Sequence, residues 1–264
     1  MSNKFLSIKQ IEKIERKYLN KYYHFLKFAE DEMLEGFKTK DDIKDDWWGL
    51  YSKSTEGRGI SDFSTGAERI VYSLLNGKGI GQPNSSPVGS DLFFEVSDAY
   101  IHIDLKTVGA SLTGNSNIGD YTKSIFVGTN QNSYKGKMIV RGKIRDYQPQ
   151  LPTYYNRGKD NQKICLTYFV TILYDSDTLD TLVMSIVCMP NGELESIYKT
   201  DVLSAGKNLE KSRFSFTKTP KFRLLGKNDY RIKVVVFKED MDESYRKKLS
   251  FFEDTYLRQT VNDN

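Results

Sequence analysis

Between residues 5 and 36 apolar side chains recur at helical spacing (Ile8, Ile11, Ile14, Tyr18, Tyr22, Phe25, Phe28), which predicts one or two amphipathic helices inside an N-terminal helical segment of about residues 1–50. A further helix is predicted from about Thr65 to Leu75, closed by Asn76 and Gly77. The pattern then switches to a period of two. Residues 91–108, DLFFEVSDAYIHIDLKTV, predict a β-hairpin, and strands are expected at 124–127, 137–144, 163–174, 181–189, 212–217 and 230–237, with a turn at Pro190-Asn191-Gly192. Met241, Tyr245, Leu249, Phe252 and Tyr256 return to helical spacing and predict a closing helix over about 240–261. Helices and strands alternate without a repeat or an evident linker, so one α/β domain spanning 1–264 is expected.

The hairpin is the most informative segment. In its second strand Ile101, Ile103 and Leu105 share one face, and His102, Asp104 and Lys106 share the other. In the first strand Leu92, Phe94 and Val96 form the apolar set, opposite Asp91, Phe93 and Glu95. Matching apolar face to apolar face requires paired residue numbers to add to an odd value. A four-residue turn at Ser97–Tyr100 sets Val96 against Ile101 and Asp91 against Lys106, diagonal to Asp104. A register two residues shorter sets Asp91 directly across from Asp104. Either way two carboxylates and an ammonium gather on one face at the open end of the hairpin.

Composition narrows the class. The 264 residues are 38% hydrophobic and 28% charged, with 19 Gly and 6 Pro, which excludes collagen-like, low-complexity and wholly disordered chains. No run of eighteen apolar residues and no N-terminal apolar stretch is present, so neither a membrane span nor a signal peptide is expected, and a cytoplasmic location is. Cys165 and Cys188 each sit in an apolar run, as buried reduced thiols do, and His24 and His102 lie far from both, which excludes a structural zinc site. The loop GKGIGQPNSSPVGS, residues 77–90, lacks the Walker spacing and follows a helix, so it does not read as a phosphate cradle.

The net charge of +4 is small, but its distribution is uneven. Glu30–Asp46 holds eight acidic against three basic residues, whereas Tyr121–Lys163 and Lys207–Lys233 each hold nine basic against two acidic. Those two basic stretches, interleaved with Tyr134, Tyr147, Tyr154, Tyr155, Phe214, Phe216 and Phe222, suit the sides of a cleft that follows a phosphate backbone.

Two aspartates this close repel unless a cation sits between them, and oxygen ligands favour a hard divalent ion such as Mg²⁺. Such an ion bridges to a phosphate and acidifies a bound water, while Lys106 orients or helps deprotonate the nucleophile. Glu68, on the helix before the hairpin, either completes a capping box with Thr65 or points towards the metal face.

Glu68, then Asp91, twelve intervening residues and Asp104-Leu105-Lys106 resemble the PD-(D/E)xK nuclease superfamily, specifically its type II restriction endonucleases. Ser90 stands where the motif has Pro, and the matching stretch covers only about residues 64–109. VGTNQNSYKG, after the second hairpin strand, is also similar to Asn-Gln segments at this place in some restriction enzymes. The resemblance implies a restriction-endonuclease-like mixed central β-sheet flanked by helices. It implies Asp91, Asp104 and the Leu105 carbonyl as metal ligands for Mg²⁺, Lys106 as the water-activating residue and Glu68 as an accessory acid beside the metal. It further implies a homodimer around double-stranded DNA, each subunit cutting one strand to leave 5′-phosphate and 3′-hydroxyl ends.

For sequence reading, Asn130, Gln131 and Asn132 carry amides able to pair with adenine. Arg141, Arg145, Arg157, Arg213 and Arg223, with Lys135, Lys137, Lys207, Lys211, Lys218 and Lys221 of the same two stretches, are candidates for guanine or phosphate contacts. The leading expectation is a site-specific DNA endonuclease. A repair or recombination nuclease that nicks damaged or branched DNA, and a non-catalytic DNA-binding module whose hairpin charges form ion pairs, are the alternatives.

Overall fold

A computed structural model describes residues 5–42, 62–76, 91–112, 118–205, 212–215 and 230–263. The chain begins with α1 (Ile8–Phe28), α2 (Glu30–Asp42) and α3 (Asp62–Leu75). Ser7 starts α1 with a capping box in which its amide donates to Gln10 Oε1 at 2.8 Å. The hairpin follows as β1 (Leu92–Glu95) and β2 (Ala99–Ala110), then α4 (Ile118–Tyr121), β3 (Ser124–Val127), β4 (Gly136–Val140), β5 (Lys143–Tyr147), β6 (Tyr154–Tyr155), β7 (Lys163–Asp175) and β8 (Thr181–Met189). The described chain closes with α5 (Glu195–Tyr198), β9 (Leu203–Ala205), β10 (Ser212–Ser215), β11 (Ile232–Phe237), α6 (Glu243–Lys248) and α7 (Ser250–Asp263).

The central sheet runs β1-β2-β7-β8-β11, with β6 against the start of β7. Among the described strands only β2 and β7 pair in parallel, from Ala99 beside Ile164 to Ala110 beside Asp175, so the sheet is mixed. β7 and β8 are buried on both faces, which is why their sequences read as continuous apolar runs rather than as alternation. α1 and α7 pack on β11, and α1 also covers β8 and β7. Cys165 and Cys188 lie unpaired and buried within these strands. Among the described residues no helix is long and apolar enough to cross a membrane.

The structure decides between the two hairpin registers and corrects several other expectations. The hairpin takes the shorter register: Leu92 pairs with Ile103 and Phe94 with Ile101, and Val96 N–H closes the turn on Ala99 O at 2.9 Å. The expected strand over 137–144 is a two-stranded ribbon instead, β4 pairing with β5 through a turn at Arg141 (φ 49°) and Gly142 (φ 78°). Positive φ at both turn positions matches the twist of the flanking strands, and Gly142 takes the left-handed conformation at no steric cost. α3 begins at Asp62, three residues before Thr65, so Thr65 and Glu68 lie within the helix and form no capping box. The closing helix is two helices broken at Leu249.

The buried face of α1 is also rotated from the apolar pattern. Phe28 is 90% exposed and Ile8 exposed, whereas Glu12 and Glu15 are buried. Their partner is Arg231, itself fully buried, whose Nη2 lies 2.7 Å from Glu15 and 3.5 Å from Glu12. Burial pushes the Glu15 carboxyl up, and the Arg231 charge pulls it back. An arginine that keeps its proton in proteins therefore anchors the first helix to the strand that closes the sheet.

Candidate active site

β2 places the chemistry. As an inner strand it is covered on both faces, so the polar alternates of the hairpin are not solvated: His102 and Asp104 are both buried. On that face His102 stacks on Phe93, with ring centroids 4.6 Å apart, and its Nε2 meets Tyr155 OH at 3.0 Å. Burial holds the imidazole at about 3, far below its ordinary range.

Asp104 comes next along the face. Its Oδ1 accepts from Gln131 Nε2 at 2.9 Å, and its Oδ2 is in ion-pair contact with Lys106 Nζ. Burial pushes its carboxyl up to about 7 against the pull of Lys106, and the Asp91 charge adds to the rise. The side chain of Lys106 is 26% exposed, against 3% for Asp104, so the ammonium forms the rim of the site and the carboxylate its floor.

Asp91 precedes β1, and the observed register continues to bring it opposite Asp104. Its Oδ2 accepts from Leu105 N–H at 3.0 Å and from the Tyr72 hydroxyl. Tyr72 comes from α3, four residues after Glu68, so the two share one helix face turned to the hairpin. Burial, then the Asp91 charge, raises the Glu68 carboxyl while Lys106 lowers it. Those effects place Glu68 within electrostatic reach of the pair, yet among the described residues no three His, Cys, Asp or Glu side chains are close enough to form a metal-binding group.

The residues present fit a hard divalent cation. Asp104 Oδ2 is buried against the Lys106 ammonium, and the Asp91 carboxylate across the hairpin adds its negative charge to the same spot. Two neighbouring carboxylates, one of them buried and sharing a single ammonium, are the arrangement that a cation with oxygen ligands relieves.

The candidate DNA contacts divide. Asn130, Lys135, Lys137 and Arg141 are exposed, and Arg145 is half-buried. Lys135, Lys137 and Arg157 line one groove of about 690 Å³, and Arg157 also approaches Glu193 at 3.7 Å. Arg213 lies over the Phe126 ring at 3.8 Å and shares a cleft of about 310 Å³ with Lys106. Asn132 is buried, and its amide donates to Gly128 O and Tyr147 OH, so it serves its own loop rather than presenting an edge to a groove. Gln131 likewise turns to Asp104. Lys207, Lys211, Lys218, Lys221 and Arg223 lie outside the described residues.

Sequence reasoning missed Tyr72 as a partner of Asp91 and Gln131 as a partner of Asp104. The first had a signal in its helical spacing from Glu68. The second had none, because the contact spans 27 positions.

Comparison with known proteins gives the fold and the family. No curated relative matches the chain by sequence. Among solved structures, the restriction endonuclease BglI bound to its DNA recognition sequence superposes with a TM-score of 0.62 at 16% identity, covering 88% of this chain and 92% of that one. Tetrameric restriction endonuclease SfiI bound to cognate DNA gives 0.62 at 14% identity, covering 89% of this chain and 88% of that one. Both likenesses show the fold. The N-terminal domain family of the type II restriction enzyme MwoI matches residues 7–178 and the MwoI central domain family matches 181–237. The two stretches meet at the turn between β7 and β8, neighbouring strands of one sheet, and both Asp91 and the Asp104-Leu105-Lys106 run fall inside the first. With two thirds of its length matched by the first of these alone, the chain belongs to the MwoI family of type II restriction enzymes, site-specific DNA endonucleases.

Proposed function

We propose that the protein hydrolyses phosphodiester bonds of double-stranded DNA with Mg²⁺ at Asp91 and Asp104, leaving 5′-phosphate and 3′-hydroxyl ends. The observation that carries this reading is the pairing of two carboxylates across one hairpin, with the Lys106 ammonium against the buried, otherwise unpartnered oxygen of Asp104. Asp91 and Asp104 would hold the ion, with the Leu105 carbonyl and Glu68 as further oxygen donors. A bound Mg²⁺ supplies charge neutralisation at the phosphate and a water of lowered pKa.

The chain's own groups do the rest. Lys106 stands at the rim, where its ammonium orients the attacking water and offsets negative charge that develops on phosphorus. Tyr72 and the Leu105 amide hold Asp91, and Gln131 holds Asp104, so neither carboxylate has to reorganise when DNA arrives. Lys137, Arg141 and Lys143 on the β4–β5 ribbon and Arg213 beside the Lys106 cleft supply positive charge along the duplex. One such site cuts one strand. Cutting both strands of a duplex, whose backbones are related by a two-fold axis, requires two copies, so a homodimer is the working unit.

Incubating purified protein with long duplex DNA and Mg²⁺ and sequencing the fragment ends tests the reading. Discrete fragments with 5′-phosphates at one recurring sequence are expected. Intact DNA, or nicks that follow structure rather than sequence, would overturn it.

A further inference from the structure

The turn Gly128–Asn132 joins two parts of the molecule. Gln131 Oε1 accepts from Gly128 N–H at 2.8 Å, which fixes the orientation of the amide and aims Nε2 at Asp104 Oδ1. The Gly128 carbonyl in turn accepts from Tyr147 OH at 2.8 Å and from Asn132 Nδ2 at 3.1 Å, and Asn132 Nδ2 lies 2.7 Å from Tyr147 OH. Tyr147 is buried at the base of β5, paired with Gly136. The other end of the ribbon carries exposed Arg141, Gly142 and Lys143. A continuous run of hydrogen bonds therefore leads from the base of the basic ribbon to one oxygen of Asp104.

We propose that Gln131 is a positioning residue that transmits the seating of the β4–β5 ribbon on duplex DNA to Asp104, pinning Oδ1 so that Oδ2 stays turned to Lys106 and the cation site. The inference rests on the nuclease reading, with Asp91 and Asp104 as the metal pair, and deepens it by joining recognition to catalysis. The terminal torsion of an aspartate is soft, so an unpinned carboxylate samples orientations in which neither oxygen faces the ion. Partners of this kind are typically worth about 10–100-fold in metal affinity or activity. Asn130–Asn132, which the sequence suggested as base readers, thus divides: exposed Asn130 is left at the surface, while Gln131 and Asn132 tie the turn to the active site and to the ribbon.

The test uses the full chain and Mn²⁺ as the probe, with free Mn²⁺ followed by electron paramagnetic resonance in the absence of DNA. Gln131→Met keeps the side-chain length and removes the hydrogen bonds to Gly128 and Asp104. It is expected to weaken Mn²⁺ binding by about tenfold or more and to lower kcat for Mg²⁺-dependent cleavage by about 10–100-fold, with KM for DNA within about twofold of wild type. Tyr147→Phe removes only the hydroxyl and is expected to act in the same direction by a smaller factor, and the double variant to be no worse than Gln131→Met alone. Wild-type Mn²⁺ affinity in Gln131→Met, or an additive double variant, overturns the proposal. If Gln131→Met does not fold, Tyr147→Phe decides alone, and unchanged Mn²⁺ binding there overturns it. Wild-type protein that binds no Mn²⁺, or whose binding survives Asp104→Asn, would overturn the metal reading itself, an outcome distinct from failure of the linkage.

Discussion

Removing the guanidinium of Arg231 tests the packing of the first helix on the sheet. Arg231 is fully buried, 2.7 Å from Glu15 and 3.5 Å from Glu12, with its Nη2 also 3.2 Å from Tyr198 OH. Arg231→Met fills similar volume but leaves Glu15, wholly enclosed, with only the Asn191 N–H at 2.8 Å among the described residues to oppose its charge. Breaking a buried pair by removing one partner costs about 3–5 kcal/mol. In a chain of this size that lowers Tm by roughly 10–15 °C. Replacing both charges is cheaper, because no ion is then stranded: Glu15→Gln with Arg231→Met should cost well under the sum of the two single changes. The assay is urea unfolding followed by tryptophan fluorescence and far-UV circular dichroism, with coincident transitions as the check on two-state behaviour. The pH dependence supplies a sign. With the cation gone, the Glu15 carboxyl sits above its unfolded value of 4.5, so the native state takes up a proton that the unfolded chain releases. The deficit of Arg231→Met relative to wild type therefore shrinks as pH falls from neutral towards 4.5. A deficit below about 1 kcal/mol, one that grows on acidification, or strict additivity in the double variant would refute the reasoning.

Three other outcomes are expected. His102 is neutral in the fold and held at about 3, so the stability it confers is complete above its unfolded value of 6.5 and is lost as pH falls towards 3. Wild type should lose about 2–3 kcal/mol more than His102→Gln between pH 7.5 and 4.5, and equal acid sensitivity by chemical denaturation would contradict the assignment. Gly192→Ala puts a Cβ 2.2 Å from the Ser133 carbonyl oxygen, a backbone atom that cannot swing aside, and should cost about 1–3 kcal/mol; an unchanged midpoint in urea argues against that close approach. Binding to cognate duplex in Ca²⁺ should weaken steeply with salt, and Arg141→Ala with Arg145→Ala should lower the slope of log K against log salt by about 2; an unchanged slope removes the ribbon from the interface.

Much of the site was legible because it is local. Asp91, Asp104 and Lys106 lie in one hairpin, and strand alternation places them on one face without reference to the rest of the chain. The register was legible only to within two residues, since both choices match apolar faces and turn geometry decides between them. The central sheet followed from its apolar runs, but its order did not, because the parallel pairing of β2 with β7 joins residues about sixty positions apart. Buried Glu12 and Glu15 were hidden by a rule that reads acidic residues as surface, and their partner Arg231 is more than two hundred positions away. β4 and β5 read as one strand because Met138, Val140 and Ile144 keep alternation going through a turn that only Gly142 marks.

Single-turnover cleavage of cognate duplex by Asp91→Asn and Asp104→Asn in Mg²⁺, with DNA affinity measured in parallel in EDTA, bears most directly on the nuclease centre. Each substitution keeps the side-chain shape, so the folds should melt as wild type does. Cleavage should fall by several orders of magnitude while DNA binding is kept or strengthened, because negative charge facing the phosphates has been removed. Near wild-type cutting by either variant would contradict the assignment of this carboxylate pair.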